Sequence, residues 1–84
     1  MPLPKQPVTL TVEQIAELNG KLSAMRHDIN NQLSLIVAAV EVSRIKPEKV
    51  QSMVASLVEQ PPKIAAALAR FSVDFERALD ITRP

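Results

Sequence analysis

The spacing of apolar residues predicts two long helices. In each of two stretches, apolar positions recur every three or four residues, which places them in one stripe on a helical surface. The second series alternates four and three without a slip, as in a heptad seam. The first stripe is Ile15, Leu18, Leu22, Met25, Ile29, Leu33, Ile36 and Val40, and the second is Val50, Val54, Leu57, Pro61, Ile64, Leu68, Phe71, Phe75 and Ala78. The pattern predicts an all-α fold, a long antiparallel helical hairpin.

Local signals predict where the two helices begin and end. Thr11 to Gln14 has the form of a capping box, in which the threonine hydroxyl and the glutamine side chain each bind the other's backbone amide. The first helix is therefore expected from Thr11 to about Arg44. Lys46-Pro47 then breaks the pattern, and proline suits the first position of a new helix. We expect the second helix to run from Pro47 to about Ile81.

A pair of prolines stands in the middle of the second seam. Each proline removes a backbone hydrogen bond and clashes with the preceding helical turn. Because the seam keeps its phase across Pro61-Pro62, we predict one helix that is kinked there. The alternative is a three-helix monomer, in which the chain turns at the prolines and the last segment folds back.

The length of 84 residues allows one small domain. Three prolines among the first ten residues predict a flexible arm over 1–10, which leaves 11–82 for the helical domain. After Asn31 the first helix becomes apolar on most sides, as is typical of a helix surrounded by others. Two hairpins that pair through this half would form a four-helix bundle. We therefore predict a homodimer.

Composition excludes several classes of function. A net charge of +1 is too small for long-range electrostatic attraction of nucleic acid or an anionic membrane. The chain has no cysteine and no apolar run long enough to span a bilayer, so we expect a cytoplasmic protein. One histidine lacks the three or four converging ligands of a zinc site, so no metal is expected.

The only histidine, His27, is the one residue whose surroundings suggest chemistry. On the helical wheel it points away from the core, and Asn31, four residues on, shares its face. Asp28 lies about 100° around the helix, from where its carboxylate can approach the imidazole. A neutral imidazole nitrogen is a nucleophile, a carboxylate can accept its proton, and an amide can hold a phosphoryl oxygen or a water. The alternative interpretation is an ordinary exposed histidine.

The segment around this histidine resembles the phosphoacceptor H-box of the dimerisation and histidine-phosphotransfer domain of sensor histidine kinases. It is similar to the His-Asp-x-x-Asn variants of citrate-type sensor kinases and the sporulation phosphotransferase. The resemblance implies that His27 is phosphorylated, that Asp28 is the base, and that Asn31 positions the phosphoryl group or a water in the reverse, phosphatase direction. It also implies a four-helix-bundle dimer that passes phosphate to an aspartate of a response-regulator receiver. The residues that carry it are Arg26, His27, Asp28, Asn31, Leu33 and Ile36.

Two departures from the family pattern limit what the resemblance implies. The commonest H-box has an arginine and a proline shortly after the acid, where this chain has Asn30, Asn31 and Gln32. With Gly20 as its single glycine, the chain also has no glycine-rich loop to cradle the phosphates of ATP. We therefore expect no cofactor on this chain, with ATP and Mg²⁺ held by partner domains: the receiver and a separate ATP-binding kinase domain.

Two other functions stay open at this point. The chain could be a catalytically silent, dimeric helical bundle that docks a kinase or a receiver as a scaffold. Its broad apolar face also allows association with a membrane surface. Whether the chain acts as an enzyme is left undecided by the sequence.

Overall fold

The fold, in a computed structural model that describes Pro4 and residues 6–79, is a helical hairpin. Helix α1 spans Val12–Ile45 and helix α2 spans Val50–Ala78, and they are joined by Lys46 and a 3-10 turn at Pro47–Lys49. The molecule measures 57 × 28 × 12 Å, so its length is close to that of one helix. The described residues include no strand. The predicted all-α antiparallel hairpin is confirmed.

The capping box at the start of α1 forms as predicted. The Thr11 hydroxyl accepts a hydrogen bond from the Gln14 backbone N–H at 3.1 Å, and the Gln14 side-chain oxygen accepts one from the Thr11 N–H at 2.8 Å. These two bonds satisfy donors that the first turn of a helix leaves free. They fix the start of α1 at Val12, directly after the capping threonine.

The second helix differs from the prediction at both ends. Pro47 does occupy a first helical position, but in the 3-10 turn, so the α-helix begins only at Val50. A 3-10 turn is wound more tightly than an α-helix, so the connection is short. Lys46 is the single residue between α1 and this turn. The α-helix ends at Ala78, before the predicted Ile81, which lies outside the described residues.

Pro61 and Pro62 lie inside α2, which continues through both of them. The three-helix alternative is therefore wrong, because the chain does not turn back at the prolines. The neighbouring Gln60 side chain donates a hydrogen bond to the Ser56 carbonyl at 3.0 Å. The long helix keeps the second seam on one side along its whole length.

The interface between the two helices buries few residues. Ala39 and Ala67 are the only buried apolar residues among those described. The two phenylalanines of the second seam, Phe71 and Phe75, are half-buried, with ring centroids 6.0 Å apart. Two helices alone therefore leave most of both apolar seams partly exposed.

Neither described helix contains a segment long and apolar enough to cross a membrane.

The open end of the hairpin is joined by an ion pair. The Lys21 ammonium lies 3.7 Å from the Asp74 carboxylate on the other helix and 3.3 Å from Glu17 on its own. Asp74 also approaches Arg77 at 4.0 Å. The sequence does not predict this bridge between the helices.

Candidate functional site

His27 lies in the middle of α1 and is exposed. Half-buried Met25 and Ile29 mark the side of α1 that faces α2. At 100° per residue, His27 lies about 180° from that side. Its ring makes no hydrogen bond or ion pair with any described residue. The imidazole is therefore exposed to solvent, as the sequence predicts.

Asn31 follows one helical turn later on the same outward side. It is also exposed, and residues four apart on a helix are neighbours whose Cβ atoms lie about 6 Å apart. The structure thus brings the ring of His27 and the carboxamide of Asn31 onto one accessible surface. A group bound to the imidazole would extend over the same surface that presents the amide.

Asp28 lies on the flank of α1, at the edge of the groove between the helices. It lines a shallow groove of about 100 Å³ together with Ala67 and Arg70 of α2. Its carboxylate is exposed and makes no hydrogen bond or ion pair within the described part of the chain. A contact between Asp28 and the His27 ring is not formed here. A change of side-chain rotamer is needed to bring the carboxylate to the imidazole.

Arg70 is a member of this surface that the sequence analysis did not identify. Its spacing from Asp74 suggests an ordinary pair on the surface of α2, but no such ion pair forms in the described structure. Lys21 and Arg77 approach that carboxylate instead. Arg70 therefore stands as an exposed cation in the groove beside Asp28.

An apolar face runs along one side of the hairpin. Its residues lie at the edge of each seam that the partner helix does not cover, and they remain between 39% and 53% exposed. Helical geometry places the exposed edges of both seams on the same side of the hairpin. We call this surface the apolar face; it consists of Ile15, Leu33, Val40, Val50, Val54 and Leu68.

The candidate site and the apolar face lie on different sides of α1. His27 is about 120° around the helix from Leu33, and Asn31 is farther still. Asp28 lies at the groove on the side opposite to the apolar face. A molecule that covers the apolar face would therefore leave the imidazole, the amide and the carboxylate accessible. The described residues around the site contain no cluster of three or more side chains suited to bind a metal ion.

Comparison with models of protein families, with curated proteins and with solved structures gives no match. The resemblance to the H-box therefore depends on the residues around His27 and on their placement in the hairpin.

Proposed function

We propose that this chain is the phosphoacceptor and dimerisation domain of a two-component signalling system in the cytoplasm. In this proposal His27 takes a phosphoryl group and passes it to an aspartate of a response-regulator receiver. The chain is then a phosphoprotein that serves a histidine kinase or a phosphotransfer relay. ATP and Mg²⁺ belong to its partner domains.

The observation that carries the proposal is the open pair of His27 and Asn31. Both side chains are exposed on the side of α1 that faces away from α2. A phosphoacceptor must let a second protein bring a phosphorus atom within bonding distance of its nucleophile. An imidazole packed in the hairpin interface would be unable to do this.

The reaction needs a nucleophile, a base and a donor. A ring nitrogen of His27 attacks the phosphorus of an aspartyl phosphate or of the γ-phosphate of ATP, and a P–N bond forms. The P–O bond to the leaving group breaks, and its electron pair stays with the receiver carboxylate or with ADP. The proton of the other ring nitrogen passes to Asp28 or to water. In the return direction the receiver aspartate attacks the phosphohistidine.

A second copy of the chain is the proposed occupant of the apolar face. The single chain exposes 6475 Å², whereas a compact 9.2 kDa monomer would expose about 4,900 Å². The difference of about 1,500 Å² exceeds the roughly 800 Å² that each partner buries in a standard interface. Pairing through the apolar face would place four helices around one core. The resulting homodimer would be a four-helix bundle.

Transfer of labelled phosphate tests the proposal. The full chain is incubated with receiver domains carrying ³²P on their aspartate, and separately with labelled ATP and a histidine-kinase catalytic domain. We expect label on this chain that is lost in acid and retained in base, as for a phosphohistidine. If no donor labels the chain while it still dimerises, the scaffold function replaces the proposed one.

Replacing Asp28 tests its role as the base. Asp28→Asn keeps the size of the side chain but cannot accept the proton, and we expect phosphorylation of His27 to slow about a hundredfold. The control is Glu59→Gln, which makes the same change at an exposed acid on α2. Rates come from single-turnover transfer. Equal rates for Asp28→Asn and the wild type would show that water or the donor takes the proton.

Replacing Asn31 tests the hydrolytic direction. Asn31→Ala removes the amide that shares the face of His27, so we expect loss of the phosphoryl group to water to slow about tenfold. Asn19→Ala, at another exposed position of α1, is the control. The measurement is the decay of label from isolated phosphorylated chain. Unchanged decay in Asn31→Ala would remove Asn31 from the site.

A further inference from the structure

The groove beside the candidate site contains a cation without an ion-pair partner. Four charged side chains line this groove: Lys21, Asp28, Arg70 and Asp74. Lys21 and Asp74 bind each other at 3.7 Å, and Lys21 also binds Glu17 at 3.3 Å. Arg70 and Asp28 form no ion pair within the described part of the chain. Arg70 therefore presents an uncompensated guanidinium group to the solvent.

Arg70 lies close to His27 along the hairpin, on a side that the proposed dimer leaves open. Ala67 and Arg70 of α2 line the groove together with Met25 and Asp28 of α1. At 1.5 Å per residue, Arg70 is therefore within about one helical turn of the level of His27. The groove is on the side opposite to the apolar face. A second copy that covers that face would leave Arg70 accessible.

The cation next to His27 in the sequence is placed differently. Arg26 lies about 20° around α1 from Leu33, which is on the side of the apolar face. The net charge of +1 is too small to attract an anionic partner from a distance, so local charges decide how such a partner docks. Among the described residues that line the groove, Arg70 is the unpaired cation that this partner would meet beside His27.

The receiver of the proposed function has acidic groups where it would meet this cation. It is phosphorylated on an aspartate and holds Mg²⁺, an ion that proteins bind mainly through carboxylates. Phosphotransfer brings this acidic site to His27. We infer that Arg70 is a docking residue for the receiver, and that its guanidinium binds a carboxylate on the receiver surface beside the phosphorylated aspartate. The inference rests on the proposed function.

The carboxylate of Asp28 does not occupy Arg70 during the reaction. To act as the base, Asp28 must change its rotamer toward the imidazole of His27, which takes its carboxylate out of the groove. An ion pair between two exposed side chains adds little stability, so Arg70 can exchange one carboxylate for another. A carboxylate of the receiver then balances the charge that Asp28 leaves behind.

The concentration dependence of transfer tests the docking role, with the full chain and a phosphorylated receiver domain that labels it. Arg70→Gln should raise the receiver concentration for half-maximal transfer about tenfold and leave the maximal rate unchanged, because an exposed interface charge acts on association. Arg70→Lys keeps the charge and should stay within about threefold of the wild type. Lys49→Gln removes the same charge at the exposed helix connection and should match the wild type. An equal loss in Lys49→Gln, or a lower maximal rate at an unchanged half-maximal concentration, overturns the docking role.

Salt and the choice of donor distinguish docking from a structural effect. From about 0.02 to about 0.5 M NaCl, binding of unphosphorylated receiver should weaken more steeply for the wild type than for Arg70→Gln, because salt screens an ionic contact. Transfer from ATP through a kinase catalytic domain should be the same for both proteins. Equal salt dependence, or equal slowing with both donors, contradicts a contact that is specific to the receiver.

The same measurements separate the docking role from the proposed function. If no donor labels the wild type, the proposed function fails, and binding of unphosphorylated receiver domains to the wild type and to Arg70→Gln decides the docking role by itself. A wild-type chain that binds none of them refutes the docking role. If the wild type is labelled and Arg70→Gln matches it at every receiver concentration, the proposed function stands and the docking role is wrong.

Discussion

His27→Gln is expected to take up no phosphate from any donor that labels the wild type. The chain has one histidine, so the substitution removes every imidazole nitrogen that could form a P–N bond. Because the side chain is exposed and makes no hydrogen bond with described residues, the free energy of unfolding should change by less than about 0.5 kcal/mol. The measurements are acid-labile label after transfer and urea unfolding followed by circular dichroism.

Lys63→Gln is the control for this loss. It introduces the same glutamine at an exposed position of α2 and leaves the imidazole in place, so label should still appear. Acid-labile phosphate on the His27→Gln protein would show that the phosphate is carried by another residue. A variant that loses helicity would instead mean that His27 supports the fold, against its exposed position.

Leu33→Glu is expected to convert the dimer to a monomer. Leu33 is 47% exposed in the single chain and lies on the apolar face, where the proposed second copy would bury it. A dimer would then hold two carboxylates without partners in its core, which we expect to raise the dissociation constant at least about a hundredfold. Analytical ultracentrifugation over a range of concentrations measures this. The melting temperature should fall too, since association stabilises the folded chain.

Leu35→Glu is a closely matched control. Leu35 has nearly the same exposure, 43%, but lies about 160° around α1 from Leu33, on the side away from the apolar face. It should leave the dimer intact. Equal effects of the two substitutions would show that the apolar face is not the interface, and a wild-type chain that sediments as a monomer would exclude the dimer.

Much of the hairpin could be predicted because it follows from local signals. Periodicity predicts both helices, the capping box locates the start of α1, and Lys46-Pro47 locates the connection. The end of α2 was predicted less well, because the seam by itself contains no stop signal. That α2 continues through Pro61 and Pro62 was predicted from the unbroken phase of the second seam, although a local rule on proline alone would have ended the helix there.

The candidate site could be predicted only as far as it follows from the geometry of a single helix. The outward direction of His27 and Asn31 follows from helical geometry alone, so the sequence was sufficient. The groove that Asp28 shares with Arg70 depends on the register of the two helices, which the periodicity of apolar residues does not specify. The inward positions of Gln32 and Gln60 were not predicted, because the spacing of apolar residues carries no signal for polar residues in an interface.

The proposed function combines assembly with chemistry in one small chain. The apolar face is exposed on one side of the hairpin, while the opposite flank and the outer side of α1 present Asp28, His27 and Asn31. Association would therefore leave the imidazole reachable by a partner.

The most direct test of the central claim is nuclear magnetic resonance of the full chain labelled with ¹⁵N in histidine. One histidine produces one pair of ring-nitrogen resonances, which can be followed while phosphorylated receiver domains are added. The account predicts that one of the two resonances shifts and becomes coupled to ³¹P, and that the coupling disappears when unphosphorylated receiver is supplied in excess. Ring resonances that stay unchanged with every donor, or phosphorus bound to any other atom of the chain, would contradict it.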